Sequence, residues 1–184
     1  GFIGLEVAAA CRARGLAVTL VEPQPEPLAS ILGTTMGAFF ASLHREQGAS
    51  VRTGVGVESL ESAARVESVR LSDGSALAAD VVVVGIGVRP VTHWLEGAGL
   101  ALGDGVIADS CCRAGEGVVV AGDVARWFHP LYERHVRVEH WMNAAEQGAA
   151  AARTLLAGAA AKPYGPVPSF WSDQYDCKVQ FAGL

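Results

Sequence analysis

The chain has 184 residues, 51% of them hydrophobic, and 14 Lys and Arg against 19 Asp and Glu leave a formal charge of −5. That length accommodates one large domain or parts of two. The acidic balance argues against a nucleic-acid partner, whose footprint would be a basic stripe, and the longest apolar runs are far too short to span a bilayer.

The first stretch, GFIGLEVAAACRARGLAVTLVE from Gly1 to Glu22, reads as a helix followed by a strand. Residues 5–13 are rich in helix formers, Ile3, Val7 and Cys11 recur at helical spacing, and Gly15 sits where a C-terminal glycine is expected. Val18, Leu20 and Val21 then predict a buried strand. Any α/β domain contains such a pair without needing a ligand. Here, however, Gly1-Phe2-Ile3-Gly4 forms the second half of a GxGxxG turn, and Glu22 lies about twenty residues beyond it at a strand end. In that fingerprint the glycines let the backbone approach a pyrophosphate, the helix N-terminus stabilises its charge, and the carboxylate binds the adenosine ribose. A carboxylate at Glu22 pairs with a free 2′-hydroxyl and repels a 2′-phosphate, which favours NAD over NADP. The first glycine of the motif would precede residue 1, so the chain is expected to be a fragment that begins inside it.

Residues 31–47 predict a second helix with Ile31, Leu32, Phe39, Phe40 and Leu43 apolar, stopped by Gly48. Short β-type runs follow near 51–57 and 65–71, and Asp73-Gly74 signals a hairpin turn before Leu77. Val81–Val84 reads as a fully buried strand whose end, Gly85-Ile86-Gly87, meets a ligand crevice. Past Pro90, short strands are expected at 106–108 and 118–121, the second running into Gly122-Asp123. Residues 142–157 predict an Ala-rich helix broken at Gly158, and 162–168 a proline-punctuated linker. Phe170, Trp171, Tyr175 and Val179 begin something new, and VQFAGL reads as a strand in mid-course.

Several residues admit plain structural readings. Asp123 is well suited to cap the next helix. Cys11, Cys111, Cys112 and Cys177 show no CxxC or zinc spacing and read as small buried hydrophobes in a reduced compartment, with Cys11 on an apolar helix face. His44, His93 and His129 fit no ligand spacing and are expected at the surface. No metal site is predicted. Arg126, Arg134 and Arg137 read either as scattered solvated charges or as a basic patch able to steer an acidic iron–sulfur partner.

Five stretches, GFIGLEVAA, VVVVGIGVRP, GVVVAGDVA, EHWMNAAEQG and FWSDQYDCKVQFAGL, together resemble the FAD-dependent pyridine nucleotide-disulfide oxidoreductases. More narrowly, they are similar to the ferredoxin reductases that serve bacterial aromatic-ring dioxygenases and cytochrome P450 systems. The resemblance covers essentially the whole chain. It implies an α/β fold with two Rossmann-like units, the FAD one incomplete, and the start of a C-terminal α+β interface domain. The implied boundaries are 1–87 for the NAD-binding domain, 88–162 for the returning half of the FAD domain, and 163–184 for the interface domain. The NAD site would comprise Gly1, Gly4, Glu22, Gly85, Ile86 and Gly87, with Glu6 near the nicotinamide. Asp123, Val124, His140, Trp141 and Trp171 would bind FAD.

The implied activity uses NAD(H) and FAD to carry electrons from NADH to a 2Fe-2S ferredoxin, in the cytoplasm. Same-fold alternatives are an NADH oxidase or a nitrite, rubredoxin or coenzyme A disulfide reductase. A nucleotide-sensing interaction module like apoptosis-inducing factor is another. Thiol-using relatives would carry their active cysteine outside this sequence, and the oligomeric state is left unassigned.

Overall fold

The computed structural model describes residues 1–184. They divide into two compact units, Gly1–Gly87 with Ser172–Val179, and Val88–Trp171 with Gln180–Leu184.

In the first unit, helix α1 (Phe2–Ala13) leads to strand β1 (Thr19–Glu22), helix α2 (Ala29–Glu46) and strand β2 (Ser50–Thr53). β1 and β2 pair in parallel from Thr19↔Ser50 to Glu22↔Thr53, which requires a crossover, and α2 supplies it. The inward face of α1 is Leu5, Ala8 and Ala9, not the Ile3–Val7–Cys11 stripe, and Ile3 is exposed while Cys11 is half-buried. Two alanines let the helix backbone lie close to its neighbours, and Leu5 joins Leu28 and Phe40 in the core. β1 is half-buried rather than fully buried. α2 starts two residues earlier than its periodicity suggests and kinks at Gly33, whose φ of 80° leaves the helical region. Phe40 is buried on it, whereas Ile31 and Phe39 face out.

Strands β3 (Val57–Ser62), β4 (Val66–Leu71) and β5 (Ala76–Ala78) form an antiparallel meander. The Asp73-Gly74 turn joins the last two, with Asp73 Oδ1 accepting from Ser75 N at 3.0 Å. Val55, Val69 and Leu71 form its core, with Val82 packed against them. The Val81–Val84 run departs from expectation: it forms no strand, and Val81, at 77% exposure, Val83 and Val84 all face outward. An apolar run becomes a strand only with a ladder partner, and none of the chain's strands pairs with this one.

The second unit contains β6 (Leu102–Gly103), β7 (Gly105–Ala108), β8 (Arg113–Gly115), β9 (Val118–Val119), β10 (Ala125–His129), β11 (Arg134–Val136) and helix α3 (Trp141–Ala157). One sheet has the order β11-β10-β7-β6, and β8 pairs with β9. Val106, Ala108, Cys112, Ala125, Trp127 and Val138 are central in the core, where Ala151 of α3 joins them. The β10–β11 hairpin was not legible in the sequence, because its inward positions are Ala125, Trp127 and His129 rather than an aliphatic series. Residues 162–168 form no regular element, yet they are pinned. Trp127 Nε1 donates to Tyr164 O at 3.1 Å and His129 Nε2 to Pro166 O at 2.9 Å.

Finally, β12 (Ser169–Gln174) pairs with β13 (Cys177–Ala182) across a two-residue turn in which Tyr175 adopts a φ of 57°. No helix is long and apolar enough to cross a membrane.

Gly105 sets the approach of β7 to the loop before β10. Its φ is +105°, and a Cβ there would lie 2.5 Å from Val124 O. Gly105→Ala is therefore expected to lower the unfolding free energy by about 2 kcal/mol. Urea denaturation checks this, and an unchanged midpoint contradicts it.

Candidate functional site

Within the first unit, the glycine turn, Glu22 and the 85–87 segment come together. α1 begins at Gly1 with no side-chain cap and no acidic residue in its first turn, so its positive end is left to other partners. The nearby carboxylate is Glu22, at the C-terminal end of β1, with a side chain 19% exposed. Its Oε1 accepts from Gln24 N at 3.0 Å and its Oε2 lies 3.9 Å from Gly1 N. This places the acid beside the helix start, as a ribose-binding carboxylate requires.

Gly85 packs directly on the glycine turn. A Cβ on Gly85 would lie 3.4 Å from Gly4 N and 3.5 Å from Gly4 Cα, and one on Gly1 would lie 3.6 Å from Gly85 O. Above Gly4 itself a Cβ would meet nothing within 4 Å, which leaves open space over the turn. Gly87 holds a φ of 95°, and Ile86 is 88% exposed. Glu6 sits one turn into α1, half-buried, and its Oε1 accepts from Ser172 Oγ at 2.6 Å. An open, glycine-lined surface at a helix N-terminus with a carboxylate alongside fits a dinucleotide.

The second unit holds a second constellation. Gly122 turns with a φ of 76°, its N–H donates to Gln147 Oε1 at 2.9 Å, and a Cβ on it would lie 3.5 Å from Ala144 in the first turn of α3. Asp123 follows, exposed, with its backbone oxygen accepting from Arg137 Nη1 at 3.2 Å. Val124 is half-buried and its oxygen accepts from Val106 N at 2.8 Å. Asp123 does not cap α3. The residue at the cap position is His140, and α3 carries neither a side-chain cap nor an acid in its first turn.

His140 Nδ1 is buried without a hydrogen-bond partner. Burial lowers the pKa of this imidazole, against the pull of Asp123 and Glu139. Its ring lies 4.7 Å from that of Phe170. Trp141, 74% exposed, meets the partly exposed Trp171 edge-on at 6.5 Å. Exposed indoles and an orphaned imidazole nitrogen beside an uncapped helix end suit a large planar ring system carrying polar edge atoms.

Other expectations need correction. His44 and His129 are wholly buried rather than at the surface, while His93 is exposed. Each buried ring has both nitrogens engaged, His129 by Pro166 O and Leu131 N, His44 by Gln174 and Tyr175. Arg126 and Arg137 share Asp104 at 3.9 and 3.1 Å, and Arg137 also pairs with Glu139, so these arginines make no net basic patch. All four cysteines are free. Cys111 and Cys112 are buried, Cys11 and Cys177 only half-buried, and burial pushes the Cys112 thiol up to about 11. No group of His, Cys, Asp and Glu is arranged to hold a metal ion.

Sequence reasoning missed Gln147 and Ser172, which hold the Gly122 amide and Glu6, and did not foresee that Arg137 holds the Asp123 carbonyl. A signal for Gln147 was present. Asn143, Gln147, Ala151 and Thr154 repeat at helical spacing and form the buried face of α3, a polar stripe where an aliphatic one is usual.

Residues 1–148 match the pyridine nucleotide-disulphide oxidoreductase family, and the chain belongs to it. Over its whole length it is 42% identical to the ferredoxin–NAD(+) reductase component of the anthranilate 1,2-dioxygenase system of Burkholderia cepacia, and it covers 45% of that relative. A crystal structure of a ferredoxin reductase from Rhodopseudomonas palustris superposes with a TM-score of 0.90 at 38% identity, all of this chain matching 46% of that one. The structure of a covalent putidaredoxin reductase–putidaredoxin complex gives 0.91 at 35% identity, with 45% of that chain covered. The chain thus spans about half the length of the relatives it matches.

His44 generates a pH prediction. Burial lowers its pKa from 6.5, with the Gln174 hydrogen bond opposing. Above pH 6.5 folded and unfolded chains both hold it neutral, and its contribution to stability is complete. As pH falls below that value the unfolded chain takes up the proton first, and stability is lost toward the folded pKa. The unfolding free energy of wild type should therefore fall more steeply as pH drops below 6.5 than that of His44→Gln. Urea titrations with parallel slopes for the two proteins contradict this.

Proposed function

We propose that this chain is the pyridine-nucleotide side and part of the flavin side of an NADH-dependent flavoprotein reductase whose acceptor is a ferredoxin-type iron–sulfur protein. The observation that carries the reading is Glu22 at the uncapped start of α1, under a glycine turn on which Gly85 packs backbone to backbone. Names of relatives that match the whole chain support the acceptor, since they are reductase components for ferredoxins.

Residues 1–87 would then form the NAD-binding domain, 88–162 the returning part of the FAD domain, and 163–184 the start of an interface domain. Glu22 binds the adenosine ribose hydroxyls, and the first turn of α1 with Gly1 and Gly4 receives the pyrophosphate. Gly85, Ile86 and Gly87 admit the dinucleotide closely because two of the three lack side chains. Glu6 faces the nicotinamide half. Asp123 and Val124 hold the ribityl or phosphate region of FAD. The backbone at His140 and Trp141 meets the ring edge, and the positive end of α3 suits negative charge there. Trp171 lines the same pocket. When bound, FAD supplies the conversion between a two-electron nicotinamide donor and a one-electron iron–sulfur acceptor. The protein's share is to bind, orient and exclude water. The cytoplasm, where thiols stay reduced, is the compartment this reading implies.

The test is steady-state kinetics on the full-length protein with NADH and NADPH, using ferricyanide and then a 2Fe-2S ferredoxin as acceptors. Wild type is expected to favour NADH by at least about tenfold in kcat/KM, and Glu22→Ala to lose most of that discrimination. An unchanged NADH/NADPH ratio in the variant contradicts the assignment of Glu22. Turnover with ferricyanide but with no ferredoxin contradicts the acceptor.

A further inference from the structure

A chain of hydrogen bonds in the first unit ends on Glu6. Tyr175 OH lies 3.0 Å from His44 Nδ1, and His44 Nε2 lies 3.0 Å from Gln174 Oε1. Gln174 Nε2 then donates to Ser172 Oγ at 3.1 Å, and Ser172 donates to Glu6 Oε1 at 2.6 Å. His44, Ser172 and Gln174 are each 0% exposed.

The donors point one way. A carboxylate can only accept, so Ser172 spends its single proton on Glu6 and must accept from the Gln174 amide. The Gln174 oxygen then faces His44 Nε2, which therefore carries the ring proton. His44 Nδ1 is left as an acceptor, and the Tyr175 hydroxyl fills it. The direction is set by Glu6, which can only accept, and by the single proton of Ser172, and aligned chains of this kind strengthen each bond in them. The members come from α1, α2, strand β12 and, for Tyr175, the β12–β13 turn. Tyr175 holds its place there with a left-handed φ of 57°.

We infer that Ser172 and Gln174, backed by His44 and Tyr175, are positioning residues that fix the Glu6 carboxylate toward the nicotinamide half of the dinucleotide site. This rests on the functional reading above. With Oε1 held by Ser172, the rotation of the carboxylate is set and Oε2 is presented to a ligand. A carboxylate left to rotate would still allow the adenosine half to bind through Glu22 and α1, but would hold the reacting half less well. Misplacement of that kind reduces turnover rather than binding.

The experiment compares full-length wild type, Ser172→Ala, Ser172→Thr and Tyr175→Phe. It measures NADH-to-ferricyanide kinetics and the affinity for ADP-ribose, a probe that lacks the nicotinamide. Ser172→Ala is expected to lower kcat about tenfold with ADP-ribose affinity within about twofold of wild type, and Ser172→Thr, which keeps the hydroxyl, to recover most of the loss. Tyr175→Phe removes one hydroxyl from a half-buried turn and carries the test should Ser172→Ala not fold; its expected loss in kcat is about threefold. Folded variants with wild-type kcat overturn the inference, as does a parallel loss of ADP-ribose binding, which would mark a purely structural role. Wild type that neither turns over NADH nor binds ADP-ribose overturns the functional reading beneath it as well.

Discussion

Both candidate sites depend on one constraint: a helix that starts without a side-chain cap must have its positive end answered from elsewhere. α1 and α3 share this feature, and neither has an acid in its first turn. At α1 the nearest answer is Glu22 from β1, which is too close to the start of the helix to be a distant bystander. At α3 the chain places the Gly122-Asp123 turn against Ala144 and holds it there with Gln147 and Arg137. In the second unit the fold thus spends a buried polar side chain, Gln147, on presenting an uncapped helix end rather than on closing it. Arrangements of that kind are built for anionic ligands such as pyrophosphate.

Much of this was legible because the features are local. The first two helices, the strand at β1, the Asp73-Gly74 hairpin and the Ala-rich helix ending at Gly158 all follow from turn chemistry and periodicity within a few residues. What failed was whatever depends on distant neighbours. Val81–Val84 has the composition of a buried strand, but hydrogen-bond ladders need a partner and no strand of the chain pairs with it. Ile3 fits a helical stripe as well as Leu5 does, and only the packing of Phe40 and Leu28 decides between them. His44 and His129 carry no signal of burial. Their ring nitrogens find partners in segments about 130 and 37 residues away, and that pairing alone allows them inside.

The site residues divide in the same way. Gly1, Gly4, Glu22 and Gly85 carry a motif that can be read from spacing, and the structure brings them together. Ser172 and Gln147 act through others and belong to no motif, so sequence alone passed over them. For the arginines the sequence left two readings open. Three cations within twelve residues suggest a patch, yet Asp104, on a different loop, takes two of them.

The central claim is that Glu22 and the start of α1 receive a dinucleotide in one unit while Asp123 and the start of α3 receive a flavin in the other. A crystal structure of the full-length protein grown with FAD and NADH tests this most directly. The account predicts ribose hydroxyls within hydrogen-bond distance of Glu22 and an isoalloxazine edge at His140 and Trp141. Density for either ligand on surfaces that exclude these residues would contradict it.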